Sequence, residues 1–284
     1  SGLLSPGMTL IRTGTGQTVN QSNGSLVITT GTTTSAETVI RSLASFNGAV
    51  TLREVTQLSQ RIVNNNFVLE MVDVLGDGLA YTIVSATTVD VTLTAHGFTA
   101  QNVGQRIDLV ALSSVGVPMD GVIASIPNAN TIRFTVAGWP ASGSGTLSLT
   151  GWNKIELLYT GTSATVVSFN TRRRGWQNTA HTPTVATSAS GHMLHVNSDN
   201  GVVSLGNKSL GAGAVISNSS VWEQNIPLPD EALYIQLRAK NGTTAPASTT
   251  TWTVGMLRVE DYIPAQVSLI GVRQQSTAAT LTVF

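Results

Sequence analysis

The chain has 284 residues, with 15 basic and 15 acidic side chains and a formal net charge of zero. Charged residues make up only 11% of it, against about a quarter in typical domains. This composition excludes a basic surface that neutralises many phosphates, so nucleic acid is not predicted as a binding partner. The absence of cysteine excludes a disulfide framework and thiol chemistry.

The sequence predicts neither a membrane span nor an N-terminal signal peptide. No run of about 18 or more apolar residues exists, so no membrane partner is predicted. Residues 1–7 lack the basic region and apolar core of a signal peptide.

Residues 1–24 are thin in apolar side chains and are punctuated by Gly and Pro, which predicts an extended N-terminal arm. Short strands are predicted at 26–28 and 39–43. A short helix over 37–44 is the weaker interpretation. Asn47-Gly48, between two apolar runs, predicts a hairpin turn into the next strand.

The least interrupted apolar stretch is 50–74, which predicts a strand, a turn and a core strand. The Asn run at 64–66 indicates the turn, because Asn tolerates positive φ. From 67 to 72 the side chains alternate with period two, and both faces are apolar except at Glu70. Such a strand lies at the centre of a sheet or under a second layer. We expect Glu70 to meet Arg238 or Arg258, or to reach the surface.

After a predicted turn at 76–78, the pattern changes to six short strands between 81 and 150. Close spacing and frequent turn residues are typical of a small β-barrel or sandwich. Longer strands return from residue 152 onwards, notably at 155–159, 233–238 and 252–257. A loop is predicted over 212–220.

The predicted fold class is all-β. Residues 25–80 and 151–262 would form one discontinuous, jelly-roll-like β-sandwich, and 81–150 a small β module inserted into it. Residues 263–284 read as a second, C-terminal arm.

Candidate chemistry is sparse, and we predict no catalytic, cofactor-binding or metal-binding residue. His192 and His195 have a spacing that suits a metal site on a helix, but their surroundings look like a strand, where this spacing turns the rings to opposite faces. Five aspartates could pair as glycosidase carboxylates, although the sequence brings no particular two together: Asp73, Asp77, Asp90, Asp108 and Asp120.

Two tryptophans and a basic run are the candidate exposed contact residues. Trp139 and Trp176 are the two tryptophans outside strand patterns. Exposed Trp stacks on sugar rings, so a host glycan is one possible ligand, whereas burial in the core or an interface is the simpler interpretation. The run Arg172, Arg173 and Arg174 predicts a solvated turn or an interface contact, with phosphate binding as the alternative.

Two stretches carry a family resemblance. LSQRIVNNNFVLEMVDV at 58–74 and LYIQLRAKNGTTAPASTTTWTVGMLRVEDY at 233–262 resemble a group of tailed-bacteriophage virion structural proteins. AHGFTAQNVGQRIDL at 95–109 and GVIASIPNANTIRFTV at 121–136 are similar to small β modules of virion and tail proteins. Gln105 departs from that pattern, in which an acidic residue is usual.

The resemblance implies a non-enzymatic structural component located in the virion, without a cofactor. Its partners would be the major capsid protein or tail and neck proteins, and we expect a homo-oligomer. A capsid decoration protein, held by arm exchange and strand addition, is the first hypothesis. The alternatives are a neck, tail or baseplate protein, a carbohydrate-binding adhesin and, last, a glycan-degrading enzyme.

Overall fold

A computed structural model describes residues 7–47, 50–113, 117, 120–137, 144–160, 168–177, 192–199, 202–209, 216–222, 225–228, 230–261 and 280–282. Within these residues the chain forms nineteen strands and one 3₁₀ turn, Ala100–Asn102. The strands are β1 Met8–Thr13, β2 Thr18–Ser22, β3 Ser25–Thr29, β4 Glu37–Asn47, β5 Val50–Leu58, β6 Asn65–Ser85, β7 Thr88–Thr92, β8 Arg106–Ala111, β9 Asp120–Asn128, β10 Thr131–Thr135, β11 Ser144–Thr160, β12 Ser168–Arg173, β13 Trp176–Gln177, β14 His192–Asp199, β15 Val202–Ser209, β16 Ile216–Trp222, β17 Ala232–Asn241, β18 Thr251–Asp261 and β19 Thr280–Thr282.

Two antiparallel sheets form a sandwich. The front sheet has the order β1-β4-β17-β6-β11-β12-β13, and the back sheet β16-β15-β14-β5-β18-β3-β2, with β19 against β18. Alternate residues of facing strands fill the space between them, including Leu69 of β6, Leu237 of β17 and Trp252 of β18. The predicted all-β, jelly-roll-like sandwich is confirmed.

The insertion between the sandwich strands closes into a six-stranded barrel. The pairings run β6-β7-β10-β9-β8-β11 and return to β6. The barrel has its own core, in which Val91, Phe134 and Leu149 are fully buried. Closure leaves the barrel no free edge.

The barrel and the sandwich share β6 and β11, which run from one into the other without a loop. Their pairing extends from Thr160↔Asn66 in the sandwich to Ser144↔Thr82 in the barrel. The turn predicted at 76–78 is therefore wrong: these residues lie inside β6, and Gly78, with φ of 69°, lies where the ladder is irregular. Pairing with β11 keeps this segment extended in spite of its turn-forming residues.

Other local predictions also differ from the structure, because strands pair with partners that are distant in the sequence. Residues 37–44 are part of β4 rather than helix. β4 and β5 belong to different sheets, so the predicted hairpin between them is not formed. The predicted loop over 212–220 includes the start of β16.

The segments expected as arms contribute strands to the sandwich. From the N-terminal segment, β1 pairs with β4 along its whole length, and β2 pairs with β3. From the C-terminal segment, β19 pairs with β18, while residues 262–279 lie outside the described part. In the part of the chain that the structure describes, no helix is long and apolar enough to cross a membrane.

Candidate functional site

A row of polar side chains crosses the front sheet on the face away from the sandwich core. The strand registers align five residues from five neighbouring strands: Arg41, Gln236, Glu70, Glu156 and Asn170. Because successive side chains of a strand point to opposite faces, the row lies opposite the apolar residues that fill the sandwich core.

Hydrogen bonds connect the row from strand to strand. Arg41 Nε donates to Gln236 Oε1 at 2.8 Å, and Gln236 Nε2 donates to Glu70 Oε1 at 2.6 Å. Asn170 Nδ2 donates to Glu156 Oε1 at 2.8 Å. Glu70 is 1% exposed, accepts a hydrogen bond from Gln236 and interacts electrostatically with Arg238, one of the two arginines expected beside it.

A second group joins the sheet to the barrel. Arg238 donates to the Glu37 carboxylate and to the backbone carbonyl of Leu109 on β8. Lys240 donates to Glu37 at 3.2 Å and to the carbonyl of Val117. Buried cations on β17 therefore pair with one carboxylate of the sheet and with backbone oxygens of the inserted segment.

A third group is centred on Asp108, which the barrel strand β8 presents to the sheet. Lys154 Nζ lies 3.0 Å from Asp108 Oδ2 and 2.6 Å from Glu156 Oε2. Arg172 Nη1 donates to Asp108 Oδ1 at 2.7 Å and to the carbonyl of Gly151 at 2.8 Å. The result is a buried ionic network in which each of these charges has an opposite partner.

The electrostatics follow from burial and pairing. Burial alone would raise the pKa of Asp108, but Arg172, Lys154 and Arg238 together hold it below its usual value. Burial and the neighbouring Asp108 charge raise the pKa of Glu70 to about 7. Burial also lowers the pKa of Lys240 to about 8, even though Glu37 favours its charge. Burial therefore shifts the pKa of Glu70 upwards and that of Lys240 downwards, in both cases towards neutrality.

Oxygen atoms of Glu70, Asp108 and Glu156 lie within 4.8 Å of one another, a separation that a metal ion could bridge. Lys154 contacts two of these three carboxylates. Its ammonium supplies the positive charge that a metal would bring, so this group of residues fits a metal poorly.

A cavity of about 210 Å³ opens beside the network, between the barrel and β11, β12 and β13. Three carboxylates and three cations line it: Asp108, Asp120, Glu156, Lys154, Arg172 and Arg238. Two amides, Asn170 and Gln177, and one apolar side chain, Leu158, complete the wall. This cavity is the candidate functional site.

The contact residues predicted from the sequence differ in how far they are buried near this cavity. Arg172 is 1% exposed and belongs to the network, which corrects the expectation of a solvated side chain. Arg173 is half-buried, and Arg174 is exposed in the turn between β12 and β13, with φ of 47°. Trp176 is 52% exposed on β13. Trp139 and the side chains of His192 and His195 lie outside the described residues.

Each of the five aspartates considered as paired carboxylates has a partner in the structure, and Asp108 and Asp120 share one, Arg172. Asp108 and Asp120 both line the cavity. Asp77 accepts hydrogen bonds from Ser148 and Arg41. Asp73 accepts from Asn153, and Asp90 pairs with Arg133 on the barrel.

Sequence reasoning missed most of the network, although a signal was present. In β11, Lys154 and Glu156 alternate with the core residues Ile155 and Leu157. Such alternation normally indicates a solvated outer face. Here the inserted barrel covers that face, and nothing local in the sequence indicates the cover.

A separate carboxyl group lies inside the sandwich core. Glu54 of β5 is fully buried and accepts a hydrogen bond from the Tyr159 hydroxyl at 3.0 Å, while its Oε1 has no partner. Burial raises the pKa of Glu54 to about 7. The neutral acid form of Glu54 is therefore favoured over a wide pH range below neutrality.

No protein-family model and no curated protein sequence matches this chain. Among solved structures, a Bacillus licheniformis β-glucanase is similar at 9% identity and a TM-score of 0.48, over 90% of this chain and 92% of that one. A legume lectin-like domain from Entamoeba histolytica matches at 7% identity and 0.46, over 90% and 91%. An alginate lyase from Klebsiella pneumoniae matches at 8% and 0.42, over 86% and 84%.

These similarities concern the fold, a two-sheet sandwich. They correct one expectation, that the chain is not an enzyme: the similar structures are mostly glucanases and alginate lyases, so that expectation is withdrawn.

Proposed function

We propose that the chain is a structural subunit of a tailed-phage virion that joins neighbouring subunits by β-strand addition. The resemblance of residues 58–74 and 233–262 to virion structural proteins supports the class. The capsid exterior is the proposed location, as a decoration protein, with the neck, tail or baseplate as the alternative.

The observation that carries this proposal is the edge strand β2. Its sequence, TVNQS, has no charge and no proline, and four of its five side chains are exposed. In the described part of the chain it pairs on one side only, with β3. Native edges are usually protected by charges, proline or bulges, and an unprotected edge suits strand addition by a partner chain.

Two lysines on this edge provide the test. Asn20→Lys with Ser22→Lys would place charges beside the open backbone groups of β2, where both native side chains are exposed. The matched control is Thr92→Lys with Thr135→Lys, which adds the same charges at exposed positions of the closed barrel. Phage lacking the gene would be complemented with each form, and copies per purified particle would be measured by gel densitometry.

We expect the edge variant to be depleted from particles and the barrel variant to be present at wild-type level. Copy number also separates the locations, because shell sites far outnumber neck or baseplate sites. Wild-type incorporation of the edge variant would contradict strand addition at β2, and absence of the native chain from particles would contradict the virion role itself.

A further inference from the structure

One carboxylate of the ionic network contacts both an amine and a side-chain amide. Glu156 Oε2 lies 2.6 Å from Lys154 Nζ, and Glu156 Oε1 accepts from Asn170 Nδ2 at 2.8 Å. All three residues are more than nine-tenths buried. A nucleophile, a base within hydrogen-bond reach of it and a carbonyl carbon with a leaving group are the parts that acyl transfer requires.

The strand register places the amine and the amide within reach of each other. In the antiparallel pair of β11 and β12, Lys154 lies opposite Arg172, and Glu156 lies opposite Asn170. Lys154 and Asn170 are therefore diagonal neighbours on the same face of the sheet. Diagonal neighbours are about 7–8 Å apart, a separation that a long side chain can span.

The lysine must lose a proton before its nitrogen can react. Burial and the charge of Arg172 oppose the ammonium form of Lys154. The carboxylates of Asp108, Glu156 and Glu70 outweigh them, and the pKa of Lys154 is raised. The free amine therefore forms by proton transfer to Glu156 across the 2.6 Å contact, and we expect a slow reaction.

Asp108 is the other carboxyl derivative beside this amine. Its two oxygens lie 3.2 and 3.0 Å from Lys154 Nζ. Burial opposes the charge of Asp108, but Arg172 and Lys154 keep its pKa low. Because a carboxylate is already negative, it resists attack by an amine, and the neutral amide of Asn170 is the better electrophile.

The cavity gives a leaving group a way out of the network. Lys154, Glu156 and Asn170 all line it. Its volume of about 210 Å³ exceeds the ~30 Å³ that one water occupies in the liquid. Ammonia, which is similar in size to water, can therefore leave through it.

We propose that Lys154 and Asn170 form a spontaneous amide bond that links β11 to β12, with Glu156 as the general base. Glu156 takes a proton from the Lys154 ammonium, and Nζ attacks Asn170 Cγ. A second proton moves from Nζ to Nδ2, the Cγ–Nδ2 bond breaks, and ammonia leaves. Glu156 then gives its proton to the ammonia, which departs as ammonium.

The new bond leaves one N–H on Nζ, which can still donate to a carboxylate of the network. The reaction needs no oxidant, metal or cofactor. It goes beyond the proposed virion role and does not depend on it.

The test is the mass of the denatured full chain, measured by mass spectrometry after purification and again after prolonged incubation. We expect the mass calculated from the sequence less one ammonia. Trypsin does not cleave after an acylated lysine, and Lys154 is the one internal cleavage site between 134 and 172. Digestion should therefore release 134–172 as a single peptide, also lighter by one ammonia.

Two variants should keep the full mass. Glu156→Gln preserves the size of the side chain and removes the base, and Lys154→Arg preserves the charge and removes the amine. The matched control is Asp120→Asn, which removes a carboxylate that lines the same cavity but does not take part in the reaction, and it should lose ammonia as wild type does. Melting curves by circular dichroism establish that each variant is folded.

The mass of the wild-type chain decides the proposal even if a variant does not fold. A wild-type chain that keeps its full mass overturns it. Loss of water instead of ammonia also overturns it, because the bond would then be on Asp108. Cleavage after Lys154 in a chain that has lost ammonia excludes the lysine as the nucleophile, and loss of ammonia from folded Glu156→Gln excludes Glu156 as the base.

Discussion

At the scale of single residues, the buried charges of the front sheet depend on one another for stability. The buried cations of β17 are paired with a buried carboxylate, so both partners are removed from water together. Arg238 is 1% exposed and reaches both Glu37 and the barrel carbonyl of Leu109. Burial disfavours the charge of Glu37, and Arg238 with Lys240 restores it, so that the pKa of Glu37 remains low. The loss of one partner therefore leaves an uncompensated charge.

We predict that Arg238→Met destabilises the chain by about 3–5 kcal/mol, the range for breaking a buried pair. Arg133→Met is the matched control, because Arg133 pairs with Asp90 at the barrel surface, where such pairs contribute little. Urea unfolding of both variants measures the difference. Equal midpoints for the two would show that the Arg238 contacts do not stabilise the fold.

Replacing Glu54 is predicted to raise the stability of the chain, whereas Arg238→Met is predicted to lower it. Its raised pKa of about 7 means that the stability it contributes is present below about pH 4.5 and is lost as the pH rises to about 7. Glu54→Gln removes this loss. We expect the variant to match wild type near pH 4 and to exceed it by about 3 kcal/mol near pH 8.

Thermal unfolding of wild type and Glu54→Gln at the two pH values checks this prediction. The comparison uses the difference between the two proteins, so titration of Glu70 and Lys240 affects both alike. A difference that stays constant with pH would mean that Glu54 is ionised in the folded core.

At the scale of elements, β11 passes from the barrel into the sandwich near Gly151. This glycine has φ of 66°, and a Cβ there would lie 2.5 Å from Asp108 Oδ2. The missing side chain lets the barrel carboxylate approach Lys154 and Arg172. The irregular ladder between Thr150 and Lys154 marks the same place.

We predict that Gly151→Ala costs more than Gly78→Ala. Gly78 has nearly the same φ, 69°, and open space where a Cβ would be. Both alanines bear the left-handed strain of about 1–2 kcal/mol, and only Gly151→Ala also displaces Asp108 from its cations, for a total of about 3 kcal/mol or more. Chemical denaturation of the two variants tests it, and similar losses would contradict the packing argument.

The strand types and the inserted module could be predicted, because period-two alternation and turn residues are local signals. The core strand of β6 and the positive φ of Asn64 follow from them. The pairing partners could not be predicted, since β17 reaches β6 from more than 160 positions away. The ionic network was missed for the same reason: Lys154 and Glu156 read as a solvated face until the barrel covers them.

At the scale of the whole molecule, the two hydrophobic cores are separate clusters. Among the described residues, the sandwich core contains no side chain from 72–154, the part of the chain that includes the barrel. The contacts described above between the two units are polar: ion pairs of Asp108 and hydrogen bonds to the carbonyls of Leu109 and Val117.

We predict that the sandwich folds without the barrel. Replacing residues 80–146 by a two-residue Asn-Gly turn joins Leu79 to Leu147, which already pair across the ladder, in the geometry of a hairpin. The polar row would then be hydrated rather than buried. We expect a cooperative but lower melting transition by circular dichroism, and a chain without any transition would show that the barrel is needed for folding.

The continuity of β6 and β11 has a mechanical consequence. A domain attached by flexible linkers can reorient freely, whereas here the barrel continues two hydrogen-bonded strands of the sandwich. To swing the barrel, the ladder must bend at its irregular step beside Gly151, where Asp108, Lys154 and Arg172 hold it. A force on the barrel therefore loads β6 and β11 in shear, the direction in which many backbone hydrogen bonds resist together. The barrel is thus rigidly attached to the sandwich.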